Sequence, residues 1–329
     1  GTLLGGFGQG FLQWMALRKQ GYRYRLLLNP RDSGLQEVLR LMGPGTLGLA
    51  AVQINLLVNS ILATGEGTGA VSWLSYAFRL MYLPIGLFGV SIATAALPQF
   101  SRMAALENTT DMRKMISSSL RLMMMLNVPA AVGLMVLATP IIALIFERGS
   151  FTSADTAATA AALQCYAPGL IGYSTVKITA PIFYAMRDSR TPAVISGIAV
   201  ALNLVLNLTL VRIMGYQGLA LGTAIAAILN ALILMILLHR RLDGIDGARL
   251  GITFIKIVVA SIIMGAVAVV TERYLADIWP SALLSVQILR LSITIAASVL
   301  VLCGAAQALR MDEFNDARRR LIAKLTGTV

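Results

Sequence analysis

Residues 72–97 of the chain read SWLSYAFRLMYLPIGLFGVSIATAAL, an apolar run whose single charge is Arg79. At a helical rise of about 1.5 Å per residue, this run is long enough to cross a hydrocarbon layer about 30 Å thick. An arginine inside such a span costs at least about 2.5 kcal/mol on insertion scales, so it normally faces a helix bundle or a wet cavity. The run therefore predicts a membrane protein in which Arg79 meets an anionic group.

The composition of the chain agrees with a membrane protein. Hydrophobic residues make up 57% of the 329 residues and charged residues 13%, well below the charged share of a typical soluble protein. The net charge of +12 would suit nucleic-acid binding, but the basic residues cluster in short stretches between apolar runs, as in cytoplasmic loops. We therefore predict a bilayer as partner and no nucleic acid. Cys165 and Cys303 lie inside apolar runs, so we expect small buried side chains without a metal.

The hydropathy pattern divides the chain into spans and loops. Residues 1–17 are predicted to be the tail of a truncated span, with an N-terminal portion upstream, because the chain opens on an apolar run without methionine or a basic leader. Eight complete spans are predicted to follow, at 35–64, 72–97, 116–146, 154–186, 193–214, 218–239, 252–270 and 283–309. The expected kink points are Pro44, Pro84, Pro129, Pro168 and Pro181.

The loops alternate in charge. Residues 18–34, 240–251 and the tail 310–329 are rich in arginine and lysine, whereas the opposite loops hold Arg148 and Arg273 beside Glu147 and Glu272. This asymmetry predicts that the basic loops and the C-terminus are cytoplasmic. In the tail, apolar residues at helical spacing among basic ones predict either an amphipathic helix on anionic inner-leaflet lipids or a solvated tail.

Four sequence blocks carry a specific resemblance. They are Met42-Gly-Pro44 with Gln53-Ile-Asn55-Leu-Leu-Val-Asn59, the run 72–97 continuing to Pro98, Ile145-Phe-Glu-Arg-Gly149 with Phe151-Thr152, and Lys177 to Tyr184 closing on Asp188 and Thr191-Pro192. In order and spacing along nearly the whole chain, they resemble the MurJ/MviN-type lipid II flippases of the MOP exporter superfamily.

The resemblance implies an all-α polytopic membrane protein. Residues 35–239 would be the C-terminal six-helix lobe of a MOP-type transporter (spans seven to twelve), and 252–309 two additional C-terminal helices (spans thirteen and fourteen). It implies a multi-pass protein of the bacterial plasma membrane that flips undecaprenyl-pyrophosphate-linked peptidoglycan precursor to the outer leaflet by alternating access. Such a protein is a transporter and not an enzyme, and it has no catalytic residue.

Two basic residues are candidates for the substrate headgroup. By resemblance, Arg79 faces a central cavity and contacts the pyrophosphate, and a guanidinium suits phosphate oxygens because its donors are planar and always charged. Relatives often carry acidic residues near this arginine, where this chain has Phe78 and Tyr82. Lys177, in a span interrupted by prolines, fits a transport path. Both side chains could instead snorkel to a membrane surface.

A possible cation site consists of Asn59, Asn203, Asn207 and Thr223. Asn203 and Asn207 are four residues apart and share one helix face. By resemblance, some relatives hold sodium among these helices, with aspartate at the positions of Asn59 and Asn207. Here both are neutral amides, which argues against Na+ coupling because a hard cation prefers charged oxygen ligands. Interhelical hydrogen bonding is the favoured alternative. No other cofactor is expected.

Three further interpretations stay open. The first is another MOP-superfamily exporter, either an O-antigen-type lipid-linked oligosaccharide flippase or a drug antiporter. The second is a membrane polyprenyl-phosphate glycosyltransferase, and the third is a non-transporting scaffold. An antiporter is expected to carry a coupling carboxylate within a span and a glycosyltransferase a cluster of carboxylates at the membrane edge. Neither is evident in the sequence.

Overall fold

The structure is a computed structural model that describes residues 2–21, 32, 34–36, 53–280, 283–311 and 314. It divides into two compact units, Gly1–Gly43 and Pro44–Val329. In the first unit, α1 (Thr2–Lys19) is a helix whose last turn carries Arg18 and Lys19, where positive charge is favourable beside the negative end of the helix dipole. This helix covers the residues predicted to be the tail of a span.

The second unit is built, in its described part, of α-helices joined by short turns. Their bounds are α2 (Gln53–Thr64), α3 (Ala70–Ala105), α4 (Thr109–Val136), α5 (Ala138–Phe146), α6 (Ser153–Tyr166), α7 (Gly169–Ala185), α8 (Arg190–Met214), α9 (Tyr216–Arg241), α10 (Gly247–Ile278) and α11 (Leu284–Ala308).

Six of the described helices are long and apolar enough to cross a membrane, namely α3, α4, α8, α9, α10 and α11. The predicted spans 72–97, 193–214, 218–239 and 252–270 each fall within one of them, and the predicted span 283–309 exceeds α11 by one residue at each end. Of the predicted span 35–64, the structure describes mainly α2, and the expected kink at Pro44 lies outside the described residues.

Two predicted spans are not single helices. The span 116–146 is interrupted at Leu137, between α4 and α5. The reason is Pro140, which has no amide hydrogen and whose ring would collide with the carbonyl of Val136 four residues earlier. The span 154–186 is interrupted at Ala167 and Pro168, between α6 and α7. The break at Pro168 confirms one of the expected kink points, whereas Pro140 was not among them.

α3 is continuous over 36 residues, but its hydrogen-bond pattern changes midway. The segment Ile85–Val90 is a π-helical turn that directly follows Pro84. Pro84 cannot donate to the helix, and a π turn is one way to absorb such a defect without ending the helix. Within this turn Gly89 is buried, and a Cβ atom there would lie 3.2 Å from the hydroxyl of Ser174 in α7. The expected kink at Pro84 is thus a π turn at the close approach of α3 and α7.

Small residues bring α7, α8 and α9 close together. At Gly172 in α7, a Cβ atom would lie 2.6 Å from backbone atoms of Ala227 and Ile228 in α9. At Gly218 in α9, a Cβ atom would overlap the backbone of Leu210 in α8. Small residues allow such approach between membrane helices, where association depends on van der Waals packing and interhelical hydrogen bonds. Two of these helices, α8 and α9, carry three of the four amide-cluster residues described below.

The last two described helices, α10 and α11, pack against each other, and α10 packs on α4. Their contact contains an ion pair: Glu272 Oε1 accepts hydrogen bonds from Arg290 Nη2 at 2.5 Å and Nε at 3.2 Å, and Glu272 Oε2 accepts one from Thr294 Oγ1 at 3.1 Å. The side chains of Arg290 and Glu272 are only 18% and 14% exposed. Glu272, predicted to lie in a loop, therefore belongs to α10 and pairs with a cation inside α11.

Candidate functional site

Arg79 lies in an exposed stripe of polar residues along α3. Ser72, Ser75, Arg79 and Tyr82, here called the polar stripe, are all exposed. At 100° per residue they fall within about a quarter of the helix circumference. The Arg79 guanidinium forms no hydrogen bond or ion pair with any residue that the structure describes. The charge therefore faces outward from the bundle without an anionic partner in the described part of the chain.

The exposed faces of other long helices are different in character. Along α8 and α10 the exposed side chains in the middle of each helix are almost entirely apolar: Val194, Ile198, Leu204, Val205, Leu208, Ile252, Ile255, Val259, Ile262 and Ile263. Such faces suit contact with lipid chains, whereas a row of serine, arginine and tyrosine does not. The polar stripe of α3 therefore suits contact with water or a polar ligand.

An aromatic patch lies next to Arg79 and joins α3 to the end of α6 and to α7. It consists of Phe78, Tyr82, Tyr166 and Tyr173. The Phe78 ring centroid is 5.3 Å from that of Tyr82, 5.5 Å from that of Tyr166 and 6.2 Å from that of Tyr173. The Tyr82 and Tyr173 centroids are 6.3 Å apart. These separations are typical of favourable aromatic pairs. Tyr166 is buried, whereas Tyr82 is 38% exposed, so the patch extends from the core to the exposed face.

Lys177, the second predicted headgroup residue, is exposed on α7 and forms no hydrogen bond or ion pair with a described residue. It lies one helical turn beyond Tyr173. The contact of Gly89 with Ser174 fixes the register of α3 against α7. Arg79 lies ten residues before Gly89 and Lys177 three after Ser174, so the two cations are about 20 Å apart along the helix axes. The structure therefore does not bring them together.

The residues of the predicted cation site do meet, in a cluster between α2, α8 and α9. Thr223 Oγ1 accepts hydrogen bonds from the Nδ2 atoms of Asn59 and Asn203, each at 3.3 Å, and donates to the Leu219 carbonyl at 2.8 Å. Asn207 Nδ2 donates to Asn59 Oδ1 at 2.5 Å and to Asn203 Oδ1 at 3.0 Å. The four side chains, here called the amide cluster, thus bond to one another across three helices.

Most of the polar atoms in the amide cluster are already paired. Asn203, Asn207 and Thr223 are buried and Asn59 is half-buried. Asn207 Oδ1 is buried without a hydrogen-bond partner and lies against Gly222, where a Cβ atom would overlap it. Amide and hydroxyl oxygens can ligate a hard cation, but two of the three amide oxygens here accept hydrogen bonds from Asn207. The arrangement as it stands joins α2, α8 and α9.

A second polar network fixes the start of α3 to the start of α6. The Trp73 indole donates to Asp155 Oδ1 at 2.8 Å, and the hydroxyl and amide of Thr152 donate to Asp155 Oδ2 at 2.7 Å and 2.8 Å. Thr152 and Asp155 form the capping box of α6. The hydrogen bonds from Thr152, and then that from Trp73, lower the pKa of Asp155 below its usual value. Because Trp73 is adjacent to Ser72, this network orients the polar stripe.

Sequence reasoning missed three features around these residues. The partnership of Tyr82 with Tyr173 and the ion pair of Glu272 with Arg290 both join residues that are far apart in the chain. A charge within the apolar run of α11 was a visible signal for the second. The π turn after Pro84 had only the proline as its signal.

These observations define a class of protein. A bundle of long apolar helices with proline breaks and an arginine on a polar exposed stripe is typical of a membrane transporter. Two solved structures share the fold at 14% identity. One is a MOP superfamily transporter from Pyrococcus furiosus, with a TM-score of 0.55 over 85% of this chain and 66% of that one. The other is an outward-facing multidrug resistance transporter of the MATE family, with a TM-score of 0.53 over the same shares.

The particular family is that of the lipid II flippase MurJ, to which the chain belongs, since a family model of that description matches residues 1–289. The probable lipid II flippase MurJ of Vibrio cholerae is 38% identical over 74% of this chain and 45% of its own length. That of Bdellovibrio bacteriovorus is 32% identical over 97% of this chain and 60% of its own. A solved structure of the lipid II flippase MurJ in an inward closed conformation is 26% identical, with a TM-score of 0.67 over 91% of this chain and 60% of that one.

The family assignment confirms the predicted resemblance and the all-α membrane fold, and it makes the chain part of a multi-pass membrane transporter family. The chain spans about half the length of the curated relatives that it matches.

Proposed function

We propose that this chain contributes one wall of the substrate path in a lipid II flippase. The flippase moves undecaprenyl-pyrophosphate-linked peptidoglycan precursor from the cytoplasmic to the outer leaflet of the bacterial plasma membrane by alternating access. Family membership supports the substrate. The observation that carries the assignment to a path is Arg79, a charge within a long apolar helix that is exposed on the polar stripe.

The chemistry of Arg79 suits a pyrophosphate. A guanidinium presents paired donors that match two phosphate oxygens, and it stays protonated in a cavity of any polarity. Because Arg79 forms no ion pair with a described residue, no internal carboxylate of the described part competes with the ligand. Lys177, about 20 Å further along the same pair of helices, is a second cation that a headgroup would meet on its way across the membrane.

The loop charges support an orientation for this path. We assign the basic loops 18–34 and 240–251 and the C-terminus to the cytoplasm, because basic loops remain on that side. Arg79, close to the N-terminal end of α3, is then nearer the outer surface and Lys177 nearer the inner one.

The tail 310–329, of which only Arg310, Met311 and Phe314 are described, would bind anionic inner-leaflet lipids. Removing the tail should lower the affinity of the protein for anionic lipid and leave its affinity for neutral lipid unchanged. Equal affinity for anionic lipid with and without the tail would contradict this assignment.

The chemistry of the amide cluster favours a structural role over sodium binding. Its residues are neutral, and two of its amide oxygens are engaged by Asn207. We propose that it holds α2, α8 and α9 in register and that the chain contributes no sodium-dependent coupling through it.

The central experiment is Arg79→Ala in the full-length protein, tested by complementation of a flippase-depleted strain. We expect loss of complementation at normal expression, because the path would lose its cation for the pyrophosphate. Arg79→Lys keeps the charge but not the paired donors and should complement only in part. Arg212→Ala, which removes another exposed arginine, at the end of α8, is the matched control and should complement fully. Normal growth of the Arg79→Ala strain would contradict the headgroup role.

A further inference from the structure

The exposed part of the aromatic patch has no evident purpose in packing. Phe78 already packs against Tyr166 at the end of α6, with centroids 5.5 Å apart. Tyr82 adds a ring that remains 38% exposed, and Tyr173 lies beside it, half-buried, at a centroid distance of 6.3 Å. The two tyrosines therefore present a partly open aromatic surface on the same side as Arg79.

The depth of these tyrosines separates them from the usual aromatic belt of membrane proteins. Belt tyrosines lie at the membrane surface, where the ring contacts lipid and the hydroxyl contacts water. Tyr82 lies ten residues into the apolar run that begins at Ser72, which is about 15 Å along the helix and close to the middle of a span. A tyrosine facing lipid at this depth would have no partner for its hydroxyl.

The hydroxyl groups also lack partners within the described protein. Neither the Tyr82 nor the Tyr173 hydroxyl forms a hydrogen bond with a described residue. A polar group in an apolar layer without a hydrogen bond is costly, so these groups are expected to contact water or a polar ligand. The surface thus combines aromatic faces with free hydroxyl groups, which is the chemistry that binds a sugar ring.

We propose that Tyr82 and Tyr173 form a stacking surface for the saccharide of the lipid-linked substrate, next to the pyrophosphate held by Arg79. A pyranose ring has one face lined with C–H groups, which are attracted to the electron-rich face of an aromatic ring, and its hydroxyl groups can bond to tyrosine hydroxyls. Arg79 and Tyr82 are three residues apart on one helix face, about 5–6 Å between Cβ atoms. This spacing suits a sugar bonded directly to a pyrophosphate. The inference rests on the proposed function.

The test compares two lipids that differ only in the saccharide. Full-length protein in nanodiscs is titrated with lipid II and, separately, with undecaprenyl pyrophosphate. Tyr82→Leu and Tyr173→Leu should each raise the Kd for lipid II by about threefold to tenfold, the size of one aromatic contact, and leave the Kd for undecaprenyl pyrophosphate unchanged. Tyr82→Phe keeps the ring and should stay within about threefold of wild type.

Two controls separate this inference from the proposed function. Tyr184→Leu removes a tyrosine of α7 that is 50% exposed but lies outside the aromatic patch, and it should change neither Kd. Arg79→Ala should weaken both lipids, because both carry the pyrophosphate. If the leucine variants at Tyr82 and Tyr173 bind lipid II as wild type does, or weaken both lipids equally, the saccharide surface is wrong. If Arg79→Ala weakens neither lipid, the headgroup role in the proposed function is wrong instead.

Discussion

The ion pair between Glu272 in α10 and Arg290 in α11 allows a quantitative prediction. Arg290→Met would leave a carboxylate that is 14% exposed without its two guanidinium hydrogen bonds. Removing one partner of a buried ion pair costs about 3–5 kcal/mol. The remaining exposure lets water reach the carboxylate, so we expect the lower end, about 3 kcal/mol. An ordinary interhelical hydrogen bond in a membrane protein contributes only about 0.6 kcal/mol. The loss of stability therefore distinguishes a buried ion pair from an ordinary hydrogen bond.

The assay is a double-mutant cycle on the free energy of unfolding in detergent. Wild type, Arg290→Met, Glu272→Met and the double variant are compared. The double variant should unfold close to wild type, because two apolar side chains can replace a buried pair at little cost. Each single variant leaves one charge unpaired at about 3 kcal/mol, so the coupling energy should be about 6 kcal/mol. A coupling energy near 0.6 kcal/mol would instead show that Glu272 and Arg290 form only an ordinary interhelical contact.

Three further predictions concern packing, ions and pH. Gly172→Ala should destabilise the protein by about 1–3 kcal/mol in thermal unfolding, since its Cβ would meet α9 backbone at 2.6 Å, whereas Gly197→Ala, with nothing within 4 Å, should not destabilise it. Sodium should raise the Tm no more than potassium does, and a sodium-specific increase that Asn207→Ala abolishes would contradict the structural role of the amide cluster. Trp73→Phe should lower the Tm above about pH 5. This difference in Tm should shrink as the pH falls through the lowered pKa of Asp155, because the hydrogen bond from Trp73 stabilises the ionised carboxylate. A difference in Tm that does not change with pH would show that the hydrogen bond to Asp155 is not its cause.

Long apolar runs predict membrane helices well because each helix satisfies its own backbone hydrogen bonds in lipid. The run around Arg79 is an example: α3 contains all of residues 72–97. The breaks are harder to predict, because Pro129 is accommodated within α4 whereas Pro140 accompanies its end. Which proline interrupts a helix depends on whether the surrounding helices can compensate for the lost hydrogen bond.

The site was predictable in part. Asn203 and Asn207 share a helix face by spacing alone, and the family resemblance added Asn59 and Thr223, which the structure brings into one cluster. The direction of each hydrogen bond in the amide cluster is known only from the structure. The aromatic patch was beyond sequence reasoning, because Tyr173 meets Tyr82 only through the packing of α7 against α3.

Composition and residue order alone indicate an all-helical membrane protein in which Arg79 is a costly charge in an apolar span. Both follow from the energy of placing apolar and charged groups in lipid, which depends on composition and order along the chain. The packing of the helices was needed to show that Arg79 lies exposed beside Tyr82 and Tyr173, that Lys177 is remote from it, and that Glu272 pairs with Arg290. Those outcomes depend on the register between helices, which is set by small residues and proline breaks in contact with other helices.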